Sequence, residues 1–459
     1  MPRGNGLNPG DPHLYSLYFP ALIIILLFQG VCMKSLLLAG TQSGCGKTTV
    51  TLALLQYLQQ QGQVLTTFKA GPDFLDPLWH QVVTQKVSRN LDTRMMGMEE
   101  CRYLYNSVVE QTEIAIVEGV MGMFDGREGV GGEGSSADLA RVLNIPVCLI
   151  VDAKGMSGSI VPLVKGFVAQ AREMGVTISG IIANRIGSEH HASLLKNLLA
   201  DYDLPPLVAW MSKQAPSLPE RHLGLMRPAE YPLPDFLAFL HVDDEALITV
   251  FAETVAPESN HQVITALRLQ GKRIAIARDE ACCFCYQANL DWLQAQGAHL
   301  FFFSPIKGDA LPEACDALWL PGGYPELYAE ALANSVSWLS VKAFIEEGRP
   351  VLAECGGMML LGQSLKDTSE QVWSMAGAMP FKTRMQGRLA ALGYRQCDSG
   401  IKGHEFHHSV RDDVETLPTA FNLDRGDKGI QYKNVRASYV HWYFPSAPDV
   451  AASWFGAAV

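Results

Sequence analysis

At 459 residues the chain exceeds what one ordinary hydrophobic core organises, so two domains of about 200 residues each are expected. With 48% hydrophobic and 18% charged residues it is a globular sequence, not a disordered one. A net charge of −11 argues against nucleic-acid binding, and ten cysteines without regular spacing argue against a disulfide framework. An acidic substrate would then need a local cationic pocket.

Residues 1–32 stand apart. Phe19–Val31 is apolar but short, contains Pro20, and has only Arg3 as a basic residue before it. This stretch is expected to be an over-extended start outside the fold, with Met33 as initiator and a membrane anchor as the alternative. From Ser35 onward short apolar runs alternate with amphipathic stretches, the pattern of α/β architecture. Buried strands are predicted at Ser35–Ala39, Val64–Lys69, Ile114–Glu118, Val147–Asp152 and Ile178–Asn184, with helices at Lys47–Gln60 and Ser135–Leu143. Prolines cluster between 205 and 234, which places a first domain at 33–225 and a junction at 226–270. A second α/β domain, 271–459, restarts with strands at Lys272–Ala277, His299–Phe303, Ala317–Leu320 and Pro350–Glu354.

The first chemical motif is Gly40-Thr41-Gln42-Ser43-Gly44-Cys45-Gly46-Lys47-Thr48-Thr49, between a strand and a helix. Backbone N–H groups across Gly44, Cys45, Gly46, Lys47, Thr48 and Thr49 can wrap polyphosphate. Lys47 can neutralise β/γ oxygens and Thr48 is placed to ligate Mg²⁺. Strict Walker spacing would put the first glycine at Thr41; here it is Gly40. Two further strand ends carry carboxylates, Asp73 and Asp76 in Lys69–Asp76, and Glu118 with Asp125 in Glu118–Gly126. Strand ends of parallel sheets meet at the ligand crevice, and hard oxygens there suit Mg²⁺, so Thr48, Asp73 and Glu118 are the metal candidates.

In the second half, Arg349–Glu354 leads through Cys355-Gly356-Gly357 into an apolar stretch, the pattern of a nucleophile elbow. A helix N-terminus there would draw the Cys355 thiol towards the thiolate. His441, in Tyr439–Phe444, is the candidate base, and the N–H groups of Gly323 and Gly356 are candidate oxyanion donors. Cys282-Cys283-Phe284-Cys285 lacks a second pair and reads as packed thiols in a strand-to-helix turn, while His404, His407 and His408 read as surface or interdomain structure.

These motifs together, with Ser88–Asp92, Leu218–Leu225 and Pro321–Glu326, resemble the cobyrinic acid a,c-diamide synthase family. The first half is similar to dethiobiotin synthetase-like P-loop enzymes, and the second to flavodoxin-like class I glutamine amidotransferases. The resemblance implies two α/β domains, each a mostly parallel sheet flanked by helices. It implies that ATP, with Mg²⁺, activates two acetate carboxylates of a cobalt-containing tetrapyrrole in the cytoplasm, on the route to cobalamin, and that ammonia from L-glutamine converts each to an amide. It also implies that Asp73, Phe74, Leu75, Glu118 and Asp125 shape the acyl-phosphate site, and that Cys355 forms the glutamyl thioester with His441 activating it. For the acidic substrate, Lys69, Arg89, Arg94 and Arg221 are the candidate cations. The sequence departs from general triad amidotransferases where an acid is expected two positions after the histidine: the residue is Tyr443. The alternatives are a cobyric acid synthase, an enzyme acting on hydrogenobyrinic acid or nickel-sirohydrochlorin, and a regulatory P-loop ATPase with an inactive amidotransferase half. No membrane or nucleic-acid partner is expected, and a homodimer is compatible with the scheme.

Overall fold

The computed structural model describes residues 33–109, 113–127, 129–221, 224–254 and 267–457. The expected over-extended start, 1–32, lies outside the described residues. In the N-terminal half one sheet runs in the order Leu240–Val242, Leu207–Ser212, Ile178–Ile186, Val147–Asp152, Met33–Gly40, Ile114–Gly122, Leu65–Ala70, Arg89–Leu91. Along this path all but the first strand are parallel. Helices cover both faces, which is why Leu36, Leu37 and Leu38 are all fully buried in one continuous apolar run. Strand order reverses about Met33–Gly40, the point where the carboxyl ends of a parallel sheet open a crevice. The helix Ser136–Leu143 starts at a capping Ser135 that accepts the Asp138 N–H at 3.0 Å.

The expected junction at 226–270 is redrawn. Leu240–Val242 pairs antiparallel with Leu207–Ser212, and Ala252–Thr254 with Met33–Ser35. Phe236 is fully buried, and the helix Asp244–Val250 buries Leu247 and Val250. The prolines punctuate turns of the first domain, which therefore extends at least to 254. Leu269 already belongs to the core of the second half.

That second half is centred on a six-stranded sheet, in the order His299–Phe303, Arg273–Ala277, Ala317–Leu320, Val351–Glu354, Val435–Ser438, Ile430–Tyr432, with only the last pair antiparallel. An antiparallel layer was not expected: Phe381–Met385 pairs with Ser409–Asp413, and Ala391–Gln396 with Lys402–His407, which in turn pairs with His441–Tyr443. The two halves are pinned together by Arg89 Nη2 to Asp291 at 3.0 Å, Tyr394 Oη to Asp92 at 2.8 Å and Tyr443 Oη to Glu100 at 3.1 Å.

Candidate functional site

The phosphate loop leaves the strand at Gly40 and enters the helix at Lys47. Gly44 and Gly46 have φ of 74° and 87°, a left-handed region that a side chain would strain. A Cβ on Gly46 would also fall 2.2 Å from Asn184 Nδ2, which itself donates to the Cys45 carbonyl at 2.9 Å. The Cys45 side chain is buried against Gly40, so it contributes backbone only. Arg185 donates to the Gly44 carbonyl at 3.1 Å and pairs with Asp152. Lys47 is buried, donates to the Met121 carbonyl at 2.5 Å, and is drawn below its ordinary value, chiefly by desolvation.

Beside the loop lies an acidic cluster. The Thr48 hydroxyl donates to Glu118 at 2.8 Å and approaches Asp76 at 3.4 Å. Lys69 Nζ sits 2.5 Å from Asp76 and 3.0 Å from Glu118, all three buried. The other Glu118 oxygen meets His80 Nε2 at 2.7 Å, and His80 Nδ1 meets Ser88 Oγ at 3.0 Å. Burial alone would raise Glu118, but Lys69 and His80 outweigh it and hold it well below the ordinary carboxylate range. For Asp76, burial first and then Asp73 and Glu118 push upward, against the ammonium of Lys69, which favours the carboxylate. Burial would depress Lys69, yet Asp76, Glu118 and Asp73 push it up instead. Two carboxylates and a hydroxyl beside a phosphate loop form a hard-oxygen donor set of the kind that fits Mg²⁺. Among the described residues no group of three or more His, Cys, Asp or Glu gathers that could hold a metal ion by itself, here or elsewhere.

Several expected roles move. Asp73 lines the cleft, but its Oδ1 accepts the Leu75 and Asp76 N–H groups at 2.8 and 3.1 Å, holding a turn, while Asp76 faces Thr48. The geometry therefore puts Asp76 where Asp73 was expected as a ligand. Asp125 is exposed and accepts the Gly122 N–H at 2.7 Å, outside the cleft lining. Lys69 is committed to the carboxylate cluster, Arg89 to Asp291, and Arg94 lies 4.2 Å over the Tyr394 ring. Lys69 and Arg89 thus have carboxylate partners of their own, and Arg94 has a ring contact. The Arg221 side chain lies outside the described residues, while its backbone pairs with Gly224. Asp76, His80, Asn184 and Arg185 were missed. Asp76 was visible in the same motif, whereas His80 sits inside a helix with nothing beside it in sequence to distinguish it.

The second centre is built differently. Cys355 sits between the strand Val351–Glu354 and the helix Gly356–Leu361 with φ 46°, a bend strained for a non-glycine residue. A Cβ on Gly322 would fall 2.3 Å from His441 Cε1 and 3.2 Å from Cys355 Cβ, so glycine lets thiol and imidazole face one space. A Cβ on Gly356 would fall 2.9 Å from the Gly323 nitrogen, which places the two candidate oxyanion donors side by side. Burial pushes the Cys355 thiol up, opposed by a hydrogen bond from the Gly356 N–H. His441 is held well below its ordinary value, by burial first, then by His404 and His407. Both shifts favour thiol and neutral imidazole, burial outweighing the pull towards the thiolate that a helix N-terminus supplies. Glu354, buried, accepts the Trp442 N–H at 3.0 Å and Trp319 Nε1 at 3.2 Å, and burial raises it to about 8.

Tyr443, in the place of the missing acid, points away to Glu100 of the first domain. His404 is buried and stacks on His441, with ring centroids 5.0 Å apart. Cys282, Cys283 and Cys285 are free thiols, and burial pushes each of them up. They lie in a turn whose Phe284 N–H bonds the Gly322 carbonyl at 2.9 Å. A single cleft of about 490 Å³ is lined by both centres: Lys47, Thr48, Asp73, Phe74, Leu75 and Asp76 on one side, Gly323, Cys355, His404 and His441 on the other.

Fold and site together define a P-loop synthetase joined to a glutaminase. Residues 36–222 match a family model described as a CobQ/CobB/MinD/ParA nucleotide binding domain, and residues 273–448 one described as a CobB/CobQ-like glutamine amidotransferase domain. The chain is 37% identical over 444 residues to the cobyrinate a,c-diamide synthase of Priestia megaterium, covering 92% of this chain and 96% of that one. It is 38% identical over 434 residues to the hydrogenobyrinate a,c-diamide synthase of Brucella abortus, covering 89% and 98%. The chain belongs to the cobyrinate and hydrogenobyrinate a,c-diamide synthase family.

Proposed function

We propose that the protein is a glutamine-hydrolysing, ATP-dependent carbon–nitrogen ligase that amidates the a and c acetate carboxylates of a cobyrinic-acid-type ring for cobalamin synthesis. The observation that carries this reading is the single cleft into which both the phosphate-loop lysine and the Cys355–His441 pair open. A carboxylate is a poor acyl donor because oxide would have to leave. In the first centre a substrate carboxylate oxygen attacks the γ-phosphorus of ATP and ADP departs, leaving an acyl phosphate. Lys47 offsets the phosphate charge, and Thr48, Asp76 and Glu118 would hold Mg²⁺, which supplies further charge neutralisation when bound. Asp73 holds the turn from which Leu75 faces the cleft.

In the second centre His441 takes the Cys355 proton as sulfur attacks the glutamine carboxamide carbon. The tetrahedral oxyanion faces the Gly323 and Gly356 N–H groups, ammonia leaves with the returned proton, and water hydrolyses the thioester to glutamate. Ammonia then attacks the acyl phosphate carbon, and phosphate leaves. Because thiol and imidazole both rest neutral, the proton moves only as glutamine reacts. Relatives act, by their names, on cobyrinate or on hydrogenobyrinate, so amidation of the two rings is to be assayed side by side. The proposed setting is the cytoplasm, and the proposed assembly a homodimer, which light scattering of the purified chain checks. No helix of the described residues is long and apolar enough to cross a membrane. Cys355→Ser tests the whole reading: glutamine-dependent synthesis should vanish while ammonium salts still support it. Equal loss of both would make Cys355 structural.

A further inference from the structure

His441 has no carboxylate to orient it. Among the described residues its Nδ1 is buried without a hydrogen-bond partner, and Tyr443 has turned to Glu100. What surrounds the imidazole is a set of rings. His404 stacks on it at 5.0 Å and 19°, its own Nδ1 tied to Tyr286 Oη at 3.0 Å. The other close ring comes from the first domain: Phe74, 5.1 Å from His441 centroid to centroid. Phe74 also packs on Phe284 at 5.0 Å, nearly parallel, on Tyr286 at 4.6 Å and on His404 at 5.6 Å. Gly322 closes the remaining side, with no room for a Cβ beside the imidazole. Ring packing of this kind fixes a side chain through shape and quadrupole contacts in place of a hydrogen bond.

We propose that Phe74, contributed by the synthetase domain, is a positioning residue for the glutaminase base His441, standing in for the absent third member of a triad. Its backbone makes the coupling short. Phe74 lies between Asp73, whose carboxylate holds the turn, and Asp76, which meets Thr48 and Lys69. One turn therefore carries both a group of the ATP centre and the ring against the glutaminase base, and the imidazole is held correctly only with the domains docked.

The inference rests on the glutaminase assignment above, and the test separates the two. Glutamine hydrolysis and ammonium-supported synthesis are measured on the full chain for wild type, Phe74→Ala, Phe74→Tyr and Cys355→Ser. A misplacement of about 1 Å at a reacting pair costs on the order of 10²-fold. Phe74→Ala is thus expected to lose about tenfold or more in kcat for glutamine hydrolysis, well beyond its loss in ammonium-supported synthesis, and Phe74→Tyr to restore most of it. The acidic limb of the hydrolysis pH profile should also move up in Phe74→Ala, because water reaches an imidazole that burial now keeps neutral. A purely structural role would lower both activities together and leave the profile in place, and that result overturns the proposal. So does a selective loss of ammonium-supported synthesis, which would confine Phe74 to the ring site. If Cys355→Ser still hydrolyses glutamine, it is the glutaminase assignment that fails.

Discussion

At the phosphate-loop end, charges meet charges: Lys69 lies between Asp76 and Glu118, Glu118 also meets His80, and Thr48 reaches both carboxylates. At the Cys355–His441 end, buried groups meet rings and glycines, and both reacting side chains rest uncharged. The difference matches the chemistry each end performs. Phosphoryl transfer moves charge between oxygens and is served by fixed ions, so the protein keeps a dense polar network there. Thioester chemistry begins from two neutral groups, and what it needs is placement. Substitutions that remove charge should therefore injure the first centre most, and shape changes the second.

The largest expected effect is Glu118→Gln. It keeps the side-chain shape but removes the charge that Lys69 and His80 stabilise, and synthesis should fall about 10²–10³-fold with glutamine or ammonium salts alike. Glutamine hydrolysis should fall far less. Phosphate release and amide formation, followed together, check this; near wild-type synthesis would return Glu118 to a purely structural ion network.

A narrower contrast lies between two aspartates three positions apart. Asp76→Asn should cost synthesis about 10²-fold, because Asp76 faces Thr48 and Lys69. Asp73→Asn should cost only a few-fold, on the order of one turn hydrogen bond, since an asparagine Oδ1 still accepts the Leu75 and Asp76 N–H groups. The reverse order of the two kcat values would restore Asp73 as the ligand.

That pair also shows how much could be read from sequence. The phosphate loop, the elbow at Cys355 and the parallel strands were legible, because each is a local pattern: an apolar run, glycines, and a residue at a fixed offset. Val147–Asp152, His299–Phe303 and Ala317–Leu320 fall on their predicted bounds. Which of Asp73 and Asp76 points inward was not legible, because it depends on the sense of one turn. The antiparallel layer escaped because strands such as Lys402–His407 carry Lys402, His404 and Glu405, an inward pattern fixed by neighbours in space. The N-terminal domain end was placed too early for a similar reason: Phe236 is buried in the core of the first half, and Leu240–Val242 pairs with Leu207–Ser212, contacts that only neighbours in space reveal. The neighbours that Lys69, Arg89 and Arg94 meet in the fold, Glu118, Asp291 and the Tyr394 ring, were not legible because they lie far away along the chain.

Glu354 offers a pH test in the ring-lined centre. Its folded-state value of about 8 lies above the ordinary carboxylate value, so between the two the folded chain keeps a proton that the unfolded chain has released. Its contribution is complete at low pH and is lost as pH rises towards about 8. Wild type should lose more stability than Glu354→Gln between about pH 5.5 and about pH 8.5, read as the shift in denaturant midpoint. Parallel pH curves for the two proteins would show that Glu354 titrates as an ordinary carboxylate.

The smallest effect is expected at Arg89, and it bears on how the two centres come to share a cleft. Sequence alone makes Arg89 a candidate for binding an acidic ring. In the fold its guanidinium reaches Asp291 of the other domain through two nitrogens, at 3.0 and 3.2 Å. Both partners are partly open to water, 19% and 39% exposed, so solvent screens the pair. Such a pair contributes about 0.2–1 kcal/mol. Arg89→Gln should therefore leave the KM for the tetrapyrrole within about fivefold, the most that about 1 kcal/mol can shift it. The Asp291→Asn variant should match it, and the double variant should lose less than the sum of the two in thermal stability, because one contact is removed in all three proteins. A tenfold rise in KM with Arg89→Gln alone, and none with Asp291→Asn, would instead make Arg89 a substrate cation borrowed by the interface. The cycle thus decides whether the halves are held by contacts of their own or by the ligand between them.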